Sequence, residues 1–233
     1  MPSSDRSRVT SSADDDKART TSPAGHGRRG ALRAAGGLVL ATAHLPALAR
    51  VLASTAANPP PTPRMTDGPF YPVAFDRNPT TSLIVGPLLA QARPLRLQGR
   101  VVDRAGRPIA DARVEIWQCD AAQHYRHPSD DAGGALDKGF AGFGWQQGGA
   151  DGRYAFDTIQ PVAYPGRTPH IHVKVKRDGR ALLSSQVFMP DQEALNRADF
   201  LWRHLGRDQQ PLALATLQSN GDRPVAHFDI VVG

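Results

Sequence analysis

The sequence of 233 residues holds a single cysteine, Cys119, so no disulfide can form within the chain. Aromatic residues are sparse at 6%. No internal repeat is evident. No strong excess of one charge sign spans the chain either. The formal net charge is +6, but residues 1–50 carry eight basic against four acidic residues, and that surplus of four leaves only +2 for the rest. A basic tail thus accounts for most of the charge, and nucleic-acid binding need not be invoked. The longest Ala/Gly/Leu-rich run, Ala34 to Leu48, is too short and too glycine-rich for a stable membrane span. No cysteine lies near it, which excludes a lipoprotein anchor.

That run has the features of a targeting segment. Arg28-Arg29-Gly30-Ala31-Leu32 opens it, and Ala47-Leu48-Ala49 or the stretch from Ala53 to Ala57 offers small residues for cleavage. Paired arginines, a mildly apolar stretch and then small residues resemble a twin-arginine export signal. Residues 1–57 are therefore expected to be signal and disordered N-terminus, and the protein is expected to reach the periplasm. Exported proteins often use disulfides, so their lack is mildly surprising. The twin-arginine route carries folded, cofactor-loaded proteins, and a metal inserted in the cytoplasm would make sense of it.

Glycine (22) and proline (20) are plentiful, so turns should be frequent. Asn58 to Pro63 is proline-rich and reads as a linker, and residues 58–92 together as linker and N-terminal arm. From residue 93 the pattern changes to short β segments separated by turns. Leu95 to Asp103 is one strand, with Ala112 to Gln118 expected as its hairpin partner across Arg104–Pro108. Asp120 to Gly149 is a long polar excursion of the kind that is usually functional. Arg153 to Ile159 is a strand, and Pro169–Arg177 with Ala181–Phe188 forms a hairpin about Asp178-Gly179. Asp191 to Leu205 reads as one short helix capped by Asp191, with Leu195, Phe200, Leu201 and Leu205 on one side. Leu212–Gln218 and Val225–Val232 close the chain. The fold class implied is all-β: an antiparallel β-sandwich with long loops and one short helix, over residues 93–233.

The chemistry concentrates at His170-Ile171-His172. Side chains of a strand alternate faces, so both imidazoles should project from one side. Histidine is the commonest protein metal ligand, and Tyr125 and Tyr164 supply two phenols upstream. Tyrosinate suits a hard, highly charged ion such as Fe(III). A lone Tyr beside Pro is more often a packed loop residue, and a lone His-x-His is commonly inert. Two rival readings therefore stand beside a redox enzyme: an exported binding domain, and a zinc or copper protein using the histidines alone. His124 and His127 flank Tyr125 and are expected to face solvent or to support the site from behind. Tyr154 and Trp117 read as core, and Tyr71 and Trp145 as pocket walls.

Two blocks carry a family resemblance. The first runs from Gly99 through Val114-Glu115-Ile116-Trp117-Gln118 to Tyr125-Arg126-His127. The second runs from Gly152-Arg153-Tyr154 through Tyr164-Pro165, Arg167 and Pro169-His170-Ile171-His172. With Gly68-Pro69-Phe70-Tyr71, they resemble the intradiol ring-cleavage dioxygenases of the catechol and protocatechuate type, over about residues 64–233. Either block alone would also suit a transthyretin-like sandwich. The resemblance implies mononuclear non-haem Fe(III) held by Tyr125, Tyr164, His170 and His172, with hydroxide in the fifth place. Tyr125 would be the permanent tyrosinate and Tyr164 the displaceable one. Arg167 would stabilise charge developing on the substrate ring, and Gln186 would stand near the histidines. The implied reaction opens a catechol between its oxygen-bearing carbons with O2, giving a cis,cis-muconate-type diacid. The partners implied are a small catechol and O2, with a homo-oligomer among the assemblies the family uses, and with neither nucleic acid nor a stable membrane anchor. In one respect the chain departs from the pattern. Only five residues separate Tyr164 from His170, where studied members carry a longer loop, and Gly166 replaces a bulky pocket-wall residue. A more open site for larger or substituted catechols is expected.

Overall fold

In the computed structural model the described residues are 58–75, 79–131, 133–221 and 223–233. The paired arginines, and with them all of residues 1–57, lie outside the described residues. Two sheets face each other. Strand β1 (Pro94–Asp103) is the spine of the first, and its burial alternates, with Leu95, Leu97 and Val101 inward. It pairs antiparallel with β4 (Arg153–Ile159), setting Leu97 opposite Phe156. On its other edge it pairs parallel with β8 (Val225–His227) and β9 (Ile230–Val232), and β7 (Thr216–Gln218) lies beyond β8. The second sheet is antiparallel throughout, in the order β3 (Phe143–Gln147), β2 (Arg113–Trp117), β5 (His170–Arg177), β6 (Arg180–Phe188). The β5–β6 turn is Asp178-Gly179, with φ of +49° and +75°, the left-handed pair a tight hairpin requires. The β-sandwich expected from the sequence is what forms.

Three expectations change. The strand at 112–118 does not return against β1; it joins the opposite sheet, between β3 and β5. Period-two alternation marks a strand's buried face but leaves its neighbour open, and β1 takes its partners from 153–159 and from the C-terminal strands instead. The helix over 191–205 is two: α1 (Glu193–Ala198) and α2 (Phe200–His204), broken at Asp199, which sits at extended φ/ψ. Asp191 caps neither of them. Leu195 and Phe200 are exposed, while Asn196 and Trp202 are buried, because the break rotates the apolar face between the two pieces. Finally, the proline-rich stretch is tied down at its end. Thr62 exchanges two hydrogen bonds with Val231, and the Met65 amide donates to the Ser184 carbonyl.

Leu97, Val101 and Phe156 from one sheet meet Val114, Ile116, Ile171 and Val173 from the other in the main core. The alternation that turns Ile171 and Val173 inward turns His170, His172, Lys174 and Lys176 to the outer face of the second sheet. Cross-strand register adds Trp117 and Gln186 opposite His172, and Glu115 opposite Lys174. The N-terminal arm lies over this face. Asp67 pairs with Lys174 at 2.6 Å, and the Tyr71 hydroxyl donates to Glu115 at 2.7 Å. The site is therefore roofed by the arm and the long loops, outside the sandwich core. No helix among the described residues is long and apolar enough to cross a membrane.

Candidate metal centre

His170 and His172 are each 2% exposed, and their Nε2 atoms lie 3.2 Å apart. His170 Nδ1 donates to the Thr168 carbonyl at 2.7 Å. A carbonyl only accepts, so Nδ1 carries the proton and Nε2 presents a lone pair. His172 stacks flat on Trp117, with ring centroids 4.7 Å apart and planes 10° from parallel. Its Nδ1 is buried without a hydrogen-bond partner. Gly68, at φ +72°, passes close to the same ring: an added Cβ there would lie 3.3 Å from His172 Cε1 and 3.9 Å from its Nε2. Burial, and then the Arg167 charge, hold His170 down to about 3. Burial, followed by His170 and Arg167, holds His172 well below the usual range. Both imidazoles are thus neutral, the form that binds metals.

Tyr125 brings its hydroxyl to 3.5 Å from His170 Nε2. It is 4% exposed and locked by Phe70, whose ring stacks on it at 4.7 Å. Tyr164 approaches edge-on, 5.7 Å from the Tyr125 ring and 5.7 Å from that of His170. It is half-buried, so the two phenols are held unequally. Burial, then Cys119 and Tyr164, push the Tyr125 phenol well above its ordinary range. Burial also raises Tyr164, against the opposing pull of Arg167. In the protein matrix alone, both phenols are neutral.

All four side chains therefore come together, on β5, the loop at 125 and the loop at 164. The donor set fits a hard trivalent ion. Two neutral imidazoles bring no charge, and two phenols this reluctant to ionise need a strong Lewis acid to become tyrosinates. Among the described residues no group of three or more His, Cys, Asp and Glu side chains gathers in a metal-binding cluster.

Arg167 stands beside the phenols. Its Nη1 donates to the Tyr164 hydroxyl at 3.3 Å, its Nη2 to Gln186 Oε1, and its Nε to Asp199 Oδ2 at 2.8 Å. Gln186, on β6 directly opposite His172, is fully buried. Asp199 escaped the sequence reading. Its Oδ2 also accepts from the Thr168 amide, while Oδ1 accepts from Leu201 and Trp202 and so caps α2. Burial would raise its carboxyl, but hydrogen bonds from Arg167, Trp202 and Thr168 outweigh that and hold it below the ordinary carboxylate range. A cap signal was present, an Asp ahead of the apolar Phe200-Leu201-Trp202, but it sat inside an apparently continuous helix. The flanking histidines stay out of the cluster: His124 lies 3.9 Å from Asp130, and His127 Nδ1 accepts from the Ser129 amide. Tyr154 is core, as expected. Trp145 lies under the Arg113 guanidinium, 3.8 Å away. Tyr71 edges a cavity of about 530 Å³ that includes none of the four candidate ligands.

Residues 69–232 match the dioxygenase family model, a span that contains the four candidate ligands with Arg167, Gln186 and Asp199. The chain belongs to the intradiol ring-cleavage dioxygenase family. Within that family it is 40% identical over 102 residues to the protocatechuate 3,4-dioxygenase beta chain of Burkholderia cepacia, covering 40% of this chain and 43% of that one. It is 31% identical over 148 residues to hydroxyquinol 1,2-dioxygenase of Nocardioides simplex, or 56% of this chain and 48% of the relative. The chain thus spans somewhat under half the length of these two curated relatives. Among solved structures, the dioxygenase domain of a dioxygenase carbohydrate-binding protein fusion from Streptomyces sp. SirexAA-E superposes with a TM-score of 0.58 at 34% identity. That match covers 74% of this chain and 98% of that domain.

Proposed function

We propose that this intradiol-family chain is an Fe(III) dioxygenase that opens a catechol-type ring between its two hydroxyl-bearing carbons, giving a cis,cis-muconate-type diacid. The observation that carries this reading is the meeting of Tyr125, Tyr164 and the two imidazole Nε2 atoms on one face of the second sheet. Neither a binding sandwich nor a zinc or copper pair needs the phenols there. Bound Fe(III) would act as Lewis acid and template, activating a chelated catechol towards O2.

The side chains divide the remaining work. Neutral His170 and His172 offer Nε2 lone pairs at any pH above the acid range. With the metal bound, Tyr125, clamped by Phe70, would be the fixed phenolate. Tyr164, half-buried, would be the displaceable phenolate and could take a catechol proton on its Oη. Arg167 is turned towards that oxygen and held by Asp199 and Gln186, so it would stabilise negative charge developing on the ring. Phe70, Tyr71 and Trp117 pack against the site and exclude water from it.

Iron-replete protein should be deep red to burgundy from tyrosinate-to-iron charge transfer and should consume O2 with a catechol. Colourless iron-replete protein would end the proposal. Export by the twin-arginine route is proposed from Arg28-Arg29. Replacing both by lysine should hold the protein in the cytoplasm, and an unchanged periplasmic yield refutes export. Assembly into a homo-oligomer is proposed as well. A solution mass of a single chain would refute it.

A further inference from the structure

A cleft of about 280 Å³ opens beside Tyr164, between the loop at 163–168 and helix α1. Tyr164, Gly166 and Arg167 form one side; Leu195, Ala198 and Asp199 form the other. Gly166, at φ +80°, leaves open space where a side chain would stand, since an added Cβ meets nothing within 4 Å. The helix side is apolar and bare. Leu195 is 44% exposed, and Phe200, whose ring lies 5.4 Å from the Arg167 guanidinium carbon, is 46% exposed. Two large apolar side chains left in water at the mouth of a cleft mark a surface that gains by being covered.

The charge of the cleft is balanced internally. Arg167 is the one cation among its lining residues, and Asp199, Tyr164 and Gln186 each accept from it. The Asp199 carboxylate, its side chain inaccessible to solvent, lies behind Arg167 and offsets its charge. A ring carboxylate entering here would meet an arginine already paired with its own buried counter-charge, and would lose hydration without gaining a free cation. An uncharged apolar group would meet Leu195, Ala198 and the Phe200 rim. The volume is just below the ~300 Å³ at the small end of ligand clefts, which suits a substituent and not a second whole ligand. We infer that this cleft receives an uncharged apolar substituent, alkyl or aryl, on the catechol ring, and that it selects against ring carboxylates. The inference rests on the proposed activity and narrows its substrate class.

The test compares kcat/KM of the iron-loaded protein for catechol, 4-tert-butylcatechol and protocatechuate. The expected order is 4-tert-butylcatechol first, by about tenfold over catechol, and protocatechuate last. Leu195→Asp charges the helix wall and Ala198→Trp fills the cleft, both at exposed helix positions that the fold tolerates. Each should lower the ratio of 4-tert-butylcatechol to catechol about tenfold. A wild-type ratio of one or less, protocatechuate as the best substrate, or a ratio that neither variant moves overturns the inference. If the cleft served only to receive a displaced Tyr164 ring, Ala198→Trp would slow both substrates alike, and the ratio would stand still. Should no catechol turn over, the proposed activity fails on its own. The cleft is then read by calorimetric titration of metal-free protein with 4-tert-butylphenol and 4-hydroxybenzoate. The apolar phenol should bind more tightly, with Leu195→Asp weakening it, and the reverse order overturns the inference.

Discussion

Replacing Asp199 by alanine tests how the site is braced. Its side chain is inaccessible to solvent, and that of Arg167 is only 10% exposed, so their 2.8 Å pair is sheltered from screening. Removing one partner of a buried ion pair leaves the other charge unpaired, at a cost of about 3–5 kcal/mol. The same carboxylate caps α2 through Leu201 and Trp202, and losing such a cap costs about 1 kcal/mol. These losses share one group and do not simply add, so Asp199→Ala should destabilise by about 3–5 kcal/mol. Asn is as good a cap as Asp. Asp199→Asn should therefore recover the cap and lose less, while still leaving Arg167 without its counter-charge. Urea denaturation of the metal-free proteins measures both changes. Iron-loaded Asp199→Asn should keep its charge-transfer colour yet lose turnover at least tenfold, because Arg167 is no longer held towards Tyr164. An Asp199→Ala loss below about 1 kcal/mol would show that the pair behaves as an exposed one, and would refute the bracing role.

Three further outcomes are expected. Tyr164→Phe should retain part of the colour through Tyr125 but lose most turnover; turnover of catechols at the wild-type rate would show that Tyr164 is not the displaceable ligand. Gly68→Ala places a Cβ 3.3 Å from His172 Cε1 at φ +72°. The left-handed backbone alone should cost about 1–2 kcal/mol, with weakened iron retention on dialysis, and an unchanged melting curve would count against the close approach. The pH dependence of the metal-free protein follows from the buried histidines. Folded His170 titrates near 3, against 6.5 for the free side chain, so between those values the unfolded chain binds more protons. Stability should be full above about pH 6.5 and fall as pH drops towards 3, with a slope of up to about 1.4 kcal/mol per pH unit from this group. His170→Gln should flatten that slope, and an unaltered slope would refute the assignment.

The β character, the strands at 153–159 and 170–188, and the pairing of His170 with His172 on one face were legible in the sequence, because a strand's period of two is a local property. Tyr125 and Tyr164 could be named only through resemblance to a family: no local rule says that loops 39 residues apart, at 125 and 164, end at the same histidines. Only the tertiary structure decided the rest. It moved the strand at 113–117 to the opposite sheet, which sets Trp117 beside His172. It placed Gln186 across from His172 through the register of β6. It broke one expected helix at Asp199, turning a residue that read as helix interior into the brace of Arg167, and it left Leu195 and Phe200 in solvent beside the cleft. Each of these depends on which element lies next to which. Alternation and capping signals determine how a segment folds and which side it buries, whereas neighbours are chosen by the packing of the whole chain.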